Sequence, residues 1–226
     1  MIKAVIFDFD GTVSNRQENV YRVFADYLRP FFSDFSDIEY EAVLQDLMIY
    51  DCNGTLDVEV RVIPFIRKYG KYLPDDFTEK FKPYYYDNMY AYTVLKDETI
   101  EVLEKLRKDH KLGLLSNGHS GSQHAKIDAM DIEKYFDKVL VSGDLGVHKP
   151  DPKIFEMMAE ALGVRCDECL MVGDIFSIDI LGAERAGMKS AWFITDFEKP
   201  SFFYHGYRIN DLRQIFDILD KENGKS

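Results

Sequence analysis

Residues 4–12 read Ala4-Val5-Ile6-Phe7-Asp8-Phe9-Asp10-Gly11-Thr12, an apolar run that stops at an acid, followed by a second acid and a glycine. A short apolar run ending this way reads as a buried strand whose C-terminal end is Asp8. Open α/β sheets bind ligands beyond the carboxyl ends of their strands, and a glycine there permits a tight turn. Asp8 and Asp10 therefore stand where a site would be. Aspartate is also common at strand ends and helix N-caps, so the pair by itself serves a structural reading as well as a chemical one.

Outward from this stretch the pattern changes. From Ser14 to about Thr93 aromatic and aliphatic residues recur at helical spacing without alternation. Phe77, Phe81, Tyr85, Met89 and Tyr92 form one helix face, with Pro83 as a disturbance, and Asn53-Gly54 and Lys68-Tyr69-Gly70 read as breaks. From Lys96 the chain alternates. Strands are expected at 112–115, 138–141, 170–172 and 191–194, with helices around Ile100–Leu106, Phe155–Leu162 and Leu212–Leu219. Alternation at this pitch implies a parallel sheet covered on both faces. The polar segment Lys221–Ser226 is expected to fray.

At 226 residues with a formal charge of −12, the chain suits one domain of ordinary size plus an insertion. The acidic balance argues against a nucleic-acid polymer as partner, because such binding rests on basic surface. A small phosphate ester needs only a local positive site. No stretch approaches the roughly 20 apolar residues of a membrane span, and no secretory leader is evident, so the expected location is the cytoplasm. Cys52, Cys166 and Cys169 form no disulfide framework.

Three further stretches carry chemistry. Leu112–Gly118 is an apolar strand ending in Ser116 and Asn117, where a hydroxyl and free main-chain N–H groups suit a phosphate. His148-Lys149-Pro150-Asp151-Pro152 precedes a helix, with Pro152 suited to its first turn. Leu170-Met171-Val172-Gly173-Asp174 ends a strand, and Asp179, flanked by Ile178 and Ile180, follows. Asp174 and Asp179 suit one hard cation, which takes oxygen ligands.

With Asp8-Phe9-Asp10-Gly11-Thr12, these stretches in this order resemble the four signatures of the haloacid dehalogenase superfamily, and the resemblance covers nearly the whole chain. It implies an α/β fold, a Rossmann-like parallel sheet core (1–13 and 94–226) with helices on both faces, plus an inserted all-helical cap (14–93) that closes over the site. Carried over, Asp8 is the nucleophile that forms an aspartyl-phosphate and Asp10 the acid and then base. Mg2+ would be bound by the carboxylates of Asp8 and Asp174 and the main-chain carbonyl of Asp10, with Asp179 in support directly or through water. Phosphate would be held by Ser116, Asn117, Lys149 and donors near Gly11 and Thr12, with Lys149 favouring the ionised form of Asp8. True dehalogenases of the superfamily lack an acid two residues after the nucleophile, so Asp10 favours phosphate chemistry.

The expected activity is a Mg2+-dependent phosphatase acting on a small phosphorylated metabolite. A sugar phosphomutase of the same superfamily and a non-catalytic phosphate-binding protein are the alternatives. The first resembles this fold with a histidine early in the cap, and none of His110, His119, His124, His148 and His205 falls there. Cys166 and Cys169 have half-zinc spacing without a second pair. His119 and His124 flank a Gly/Ser-rich loop and read as surface residues, and Tyr84, Tyr85 and Tyr86 as packing.

Overall fold

The computed structural model describes residues 1–195 and 201–224. Six strands run parallel: β1 (Ala4–Phe7), β2 (Lys111–Ser116), β3 (Lys138–Val141), β4 (Cys169–Gly173), β5 (Lys189–Phe193) and β6 (Tyr207–Ile209). Their order is β3-β2-β1-β4-β5-β6, so the chain steps outward from β1 on one side and then returns to its other side at β4. Phe7 lies beside Leu114 of β2 and Val172 of β4. That register brings the ends of three strands together at the point where strand order reverses, the crevice such sheets use for ligands.

The first unit, Met1–Asn15 with Leu95–Ser226, has helices α5 (Thr99–Leu106), α6 (Ser120–Ala129), α7 (Ser142–Leu145), α8 (Pro152–Leu162), α9 (Leu181–Arg185) and α10 (Ile215–Glu222), the four earlier helices belonging to the inserted segment. Because successive strand side chains alternate, β1 feeds two cores. Val5 and Phe7 pack with Val102, Leu103 and Leu106 of α5 and Ile215, Ile218 and Leu219 of α10. Ala4 and Ile6 pack with Ile154, Phe155 and Met158 of α8 and Ala183 of α9. Each large apolar side chain so buried contributes roughly 1.5–3 kcal/mol before chain entropy. Gly113 of β2 faces α8, where a Cβ would lie 2.8 Å from Met158 Sδ.

The strands expected from sequence are present: β3 has the expected bounds, β2 and β4 run one residue further at each end, β5 starts two residues earlier and stops at Phe193, and β1 stops at Phe7 rather than Asp8. β6 was not expected; it is a three-residue edge strand without an apolar run. The stretch after Ser116, expected as a loop, is largely α6. Helix α10 takes in Lys221 and Glu222, which corrects the expected fraying there, while Lys225 and Ser226 lie outside the described residues.

The second unit, Arg16–Val94, contains α1 (Arg16–Leu28), α2 (Asp37–Tyr50), α3 (Val58–Tyr69) and α4 (Phe77–Tyr92). A capping box of Ser36 and Glu39 starts α2, satisfying main-chain donors that a helix start leaves open. Its core is aromatic: Phe24, Phe32, Phe65, Phe77, Phe81 and Tyr85 are buried, and Phe77 stacks on Phe81 at 5.4 Å. α4 runs through Pro83, which is exposed; the buried Phe77–Met89 face offsets the hydrogen bond a mid-helix proline removes. Tyr85 is buried in this core and Tyr84 and Tyr86 pack against it.

One ionic cluster is set into this apolar unit. Asp51, 1% exposed, accepts from Arg16 Nη1 at 2.6 Å and pairs with Arg61. Burial pushes its carboxyl up, but the two guanidinium groups outweigh that and hold it below its ordinary value. Gly54 makes room, since a Cβ there would lie 2.5 Å from Arg16 Nη2. Removing one partner of a buried ion cluster leaves uncompensated charge. Asp51→Ala is therefore expected to destabilise the protein by about 3–5 kcal/mol, read from denaturant unfolding followed by circular dichroism.

Candidate active site

The site is built where β1, β2 and β4 end. Asp8 follows β1 and stays tied to the sheet through its N–H, which donates to the Val172 carbonyl at 2.9 Å. Gly11 then turns the chain with φ +93°, and a Cβ there would lie 2.4 Å from Asp174 Oδ2. Both constraints require glycine. Asp174 follows β4; Thr12 Oγ1 donates to its Oδ1 at 3.4 Å, and the Trp192 indole N–H donates to its main-chain carbonyl at 3.0 Å.

Asp179 lies in a π-helical turn, Phe176–Ile180. Its Oδ2 accepts from the Ile175 N–H at 2.9 Å. Gly173 permits the close approach, since a Cβ there would lie 2.4 Å from Asp179 Cβ.

Lys149 joins these pieces. Its ammonium, 3% exposed with the rest of the residue, donates to Asp8 Oδ1 at 2.6 Å, Asp179 Oδ1 at 2.7 Å and the Leu115 carbonyl at 2.8 Å. Three acceptors use its three donors. Asn117 fixes the lysine's main chain reciprocally: its Nδ2 donates to the Lys149 carbonyl and its Oδ1 accepts from the Lys149 N–H, both at 2.9 Å. Asp151 caps α8 by accepting from the Lys153 N–H at 2.9 Å, with Pro152 at the first turn. Ser116 is buried at the end of β2, its hydroxyl 3.5 Å from the Asn117 carbonyl.

Oxygens of Asp8, Asp174 and Asp179 lie within 4.8 Å of one another, all three residues buried. Three carboxylates meet the ammonium of Lys149, with Lys96 acting on Asp174 through space, and negative charge remains in excess, which a buried site does not tolerate without a counter-ion. The donors are hard oxygens, and the set fits a divalent cation of the magnesium type. The electrostatics of Asp8 point the same way. Burial raises its carboxyl to about 7, Lys149 opposes this, and the charges of Asp179 and Asp10 add to it. Lys149 thus favours the ionised form of Asp8, as expected, and burial outweighs it.

Asp10 faces other partners. Its Oδ2 accepts from Gln123 Nε2 at 2.9 Å and pairs with the Lys126 ammonium, both on α6. Sequence reasoning missed Gln123 and Lys126. The available signal was their i, i+3 spacing next to Ile127, which the loop reading of that stretch hid.

Cys166 and Cys169 are free thiols, and burial pushes Cys169 up to about 12. His124 pairs with Asp144 at 2.8 Å. Among the described residues no helix is long and apolar enough to cross a membrane.

The family model of haloacid dehalogenase-like hydrolases matches residues 2–187. The chain is similar to a glyceraldehyde 3-phosphate phosphatase of Pyrococcus abyssi, 27% identical over all of this chain and 97% of that protein. It is also similar to one of Methanopyrus kandleri, 31% identical over 83% of this chain and 82% of the relative. The magnesium-bound crystal structure of YfnB from Bacillus subtilis, a HAD-hydrolase, superposes with a TM-score of 0.76 at 23% identity, covering 97% of this chain and 99% of that one.

The folded protein keeps a proton on Asp8 up to about 7, whereas the unfolded chain gives it up near 3.8. Between those values the native state binds more protons, so stability falls as pH rises through the window and the full penalty is present above it. Asp8→Asn carries no such penalty. With divalent ions chelated, Asp8→Asn is expected to melt at a higher temperature than the wild type at pH 8, the gap closing as the pH approaches 4. Thermal melts at the two pH values check this.

Proposed function

The chain belongs to the haloacid dehalogenase-like hydrolases, and on that premise we propose that it is a Mg2+-dependent phosphatase that cleaves a small soluble phosphomonoester through an aspartyl-phosphate on Asp8. What supports this reading most is the Lys149 ammonium, held between Asp8 and Asp179 at 2.6 and 2.7 Å beside Asp174. A fold needs no such concentration of buried charge, whereas phosphoryl transfer consists largely of positioning and charge stabilisation.

Asp8 attacks phosphorus as the bond to the leaving oxygen breaks, and Asp10 gives that oxygen its proton. Asp10 then takes a proton from the water that attacks the aspartyl-phosphate, releasing inorganic phosphate and restoring the Asp8 carboxylate. Lys149, the Ser116 hydroxyl and main-chain N–H groups at Gly11 and Thr12 offset the phosphoryl charge, and Asn117 keeps Lys149 in place. The carboxylates of Asp8 and Asp174 and the Asp10 carbonyl, with Asp179 in support, would hold Mg2+, whose chemistry there would be Lewis-acid neutralisation of phosphoryl charge.

We read the all-helical unit Arg16–Val94 as the family's cap. The substrate class is a small phosphorylated metabolite, the class to which the glyceraldehyde 3-phosphate named for two relatives belongs.

Phosphate release from a panel of phosphorylated metabolites with Mg2+ tests the activity. The wild type is expected to turn over at least one ester, and Asp8→Asn none, because an amide of similar shape is a poor nucleophile. Turnover by a clean Asp8→Asn preparation would remove the nucleophile assignment.

Hydrolysis is expected rather than isomerisation. A phosphomutase must keep its phospho-enzyme from water, and no histidine stands between Ser14 and Thr93 to time that proton transfer. Supplied with a sugar 1-phosphate and traces of its bisphosphate, the protein is expected to release phosphate or to leave the sugar alone. Isomer forming faster than phosphate would reverse this reading.

A further inference from the structure

α6 carries two polar residues on its buried face that neither core requires. Gln123 is 6% and Lys126 3% exposed, and their i, i+3 spacing puts them side by side. Both reach one atom. Gln123 Nε2 donates to Asp10 Oδ2 at 2.9 Å, and the Lys126 ammonium pairs with that same oxygen. Lys126 Nζ also lies 5.3 Å from the centroid of the buried Phe9 ring, and Gln123 Nε2 lies 3.2 Å from the Asn117 carbonyl.

Burying an ammonium costs free energy unless the charge is paired, and an aliphatic side chain at 126 would avoid that cost. The adjacent Ile127 already anchors α6 in the core. Two donors converging on one oxygen fix the rotation of a carboxylate more tightly than one, because each restricts a different swing of the side chain.

We propose that Gln123 and Lys126 are positioning residues for Asp10: they anchor its Oδ2 to α6 and so fix the orientation in which the carboxyl group hands a proton to the leaving group and takes one from water. The proposal rests on the reading of Asp10 as the acid and base. It adds a second support to the site, in which α6 orients Asp10 as Asn117 orients Lys149. Neither residue touches the phosphoryl group in this assignment. Their effect falls on proton delivery and leaves phosphate binding alone.

The test is a series of substituted phenyl phosphates whose leaving groups differ in acidity, measured for wild type, Lys126→Met, Lys126→Arg, Gln123→Leu and Asp10→Asn, with the inhibition constant of inorganic phosphate and a thermal melt for each. Lys126→Met and Gln123→Leu are expected to lower kcat about 10- to 100-fold for the least acidic leaving group, the scale of a misplaced proton donor. The most acidic leaving group loses far less, KM and the phosphate inhibition constant hold, and Lys126→Arg recovers most of the activity. Equal losses across the series, or losses confined to KM and phosphate inhibition, would overturn the proposal. If Lys126→Met fails to fold, Gln123→Leu decides alone. Asp10→Asn separates the two failures: if it shows the leaving-group dependence and the α6 variants do not, only the α6 assignment falls; if Asp10→Asn lacks it, the acid–base reading falls and this proposal with it.

Discussion

The Lys149 ammonium is the interaction on which the rest of the site depends. Its three acceptors come from three separated parts of the chain: the end of β2, the residue after β1 and the π-helical turn after β4. They converge because β1 lies between β2 and β4 in register, Phe7 beside both Leu114 and Val172. A sheet in another order would leave Asp8 and Asp179 as buried carboxylates without their cation, and unpaired buried charge is among the most costly defects a core can carry. Topology and electrostatics therefore constrain each other here. The strand order supplies the acceptors, and the lysine makes their burial tolerable.

The accommodations around this pair are local. Gly11 and Gly173 exist for close approach, the first to Asp174 and the second to Asp179. The site is still not arranged for stability. With Lys149 in contact, Asp8 is raised to about 7 because burial exceeds the lysine's attraction. Burying an ion costs several kcal/mol even after relaxation, and the two apolar faces of the sheet offset that cost. β1 supports both roles, being buried along its whole length in the two cores and followed directly by the acid.

What was legible in the sequence follows from the same physics. Central parallel strands are near-continuous apolar runs, so β1, β2 and β4 stood out, and the polar residue at each end marked the site. Asp8, Lys149, Asp174 and Asp179 meet in the structure, with Ser116 and Asn117 at the end of β2. α6 was not legible, because Ser120, Gly121 and Ser122 are poor helix formers and its core-facing positions include Gln123 and Lys126. Polar residues on a buried face defeat a search for apolar periodicity. β6 lacked the length to signal itself. The Arg16–Asp51–Arg61 cluster joins residues far apart in sequence, and no local pattern announces such a contact.

Asp8 and Asp10 stand two residues apart and live in different electrostatic surroundings. Asp8 is buried against Lys149 with Asp179 and Asp174 close by. Asp10, whose side chain is 19% exposed, is met by Lys126 and Gln123 from α6. The turn at Gly11 is where the chain stops being strand, so the two acids no longer share one set of neighbours. Chemistry that asks one carboxylate to attack and another to move protons needs this separation, because like groups in like surroundings titrate together and neither holds a distinct role. Each acid has its own lysine, and each lysine is held by a different part of the fold.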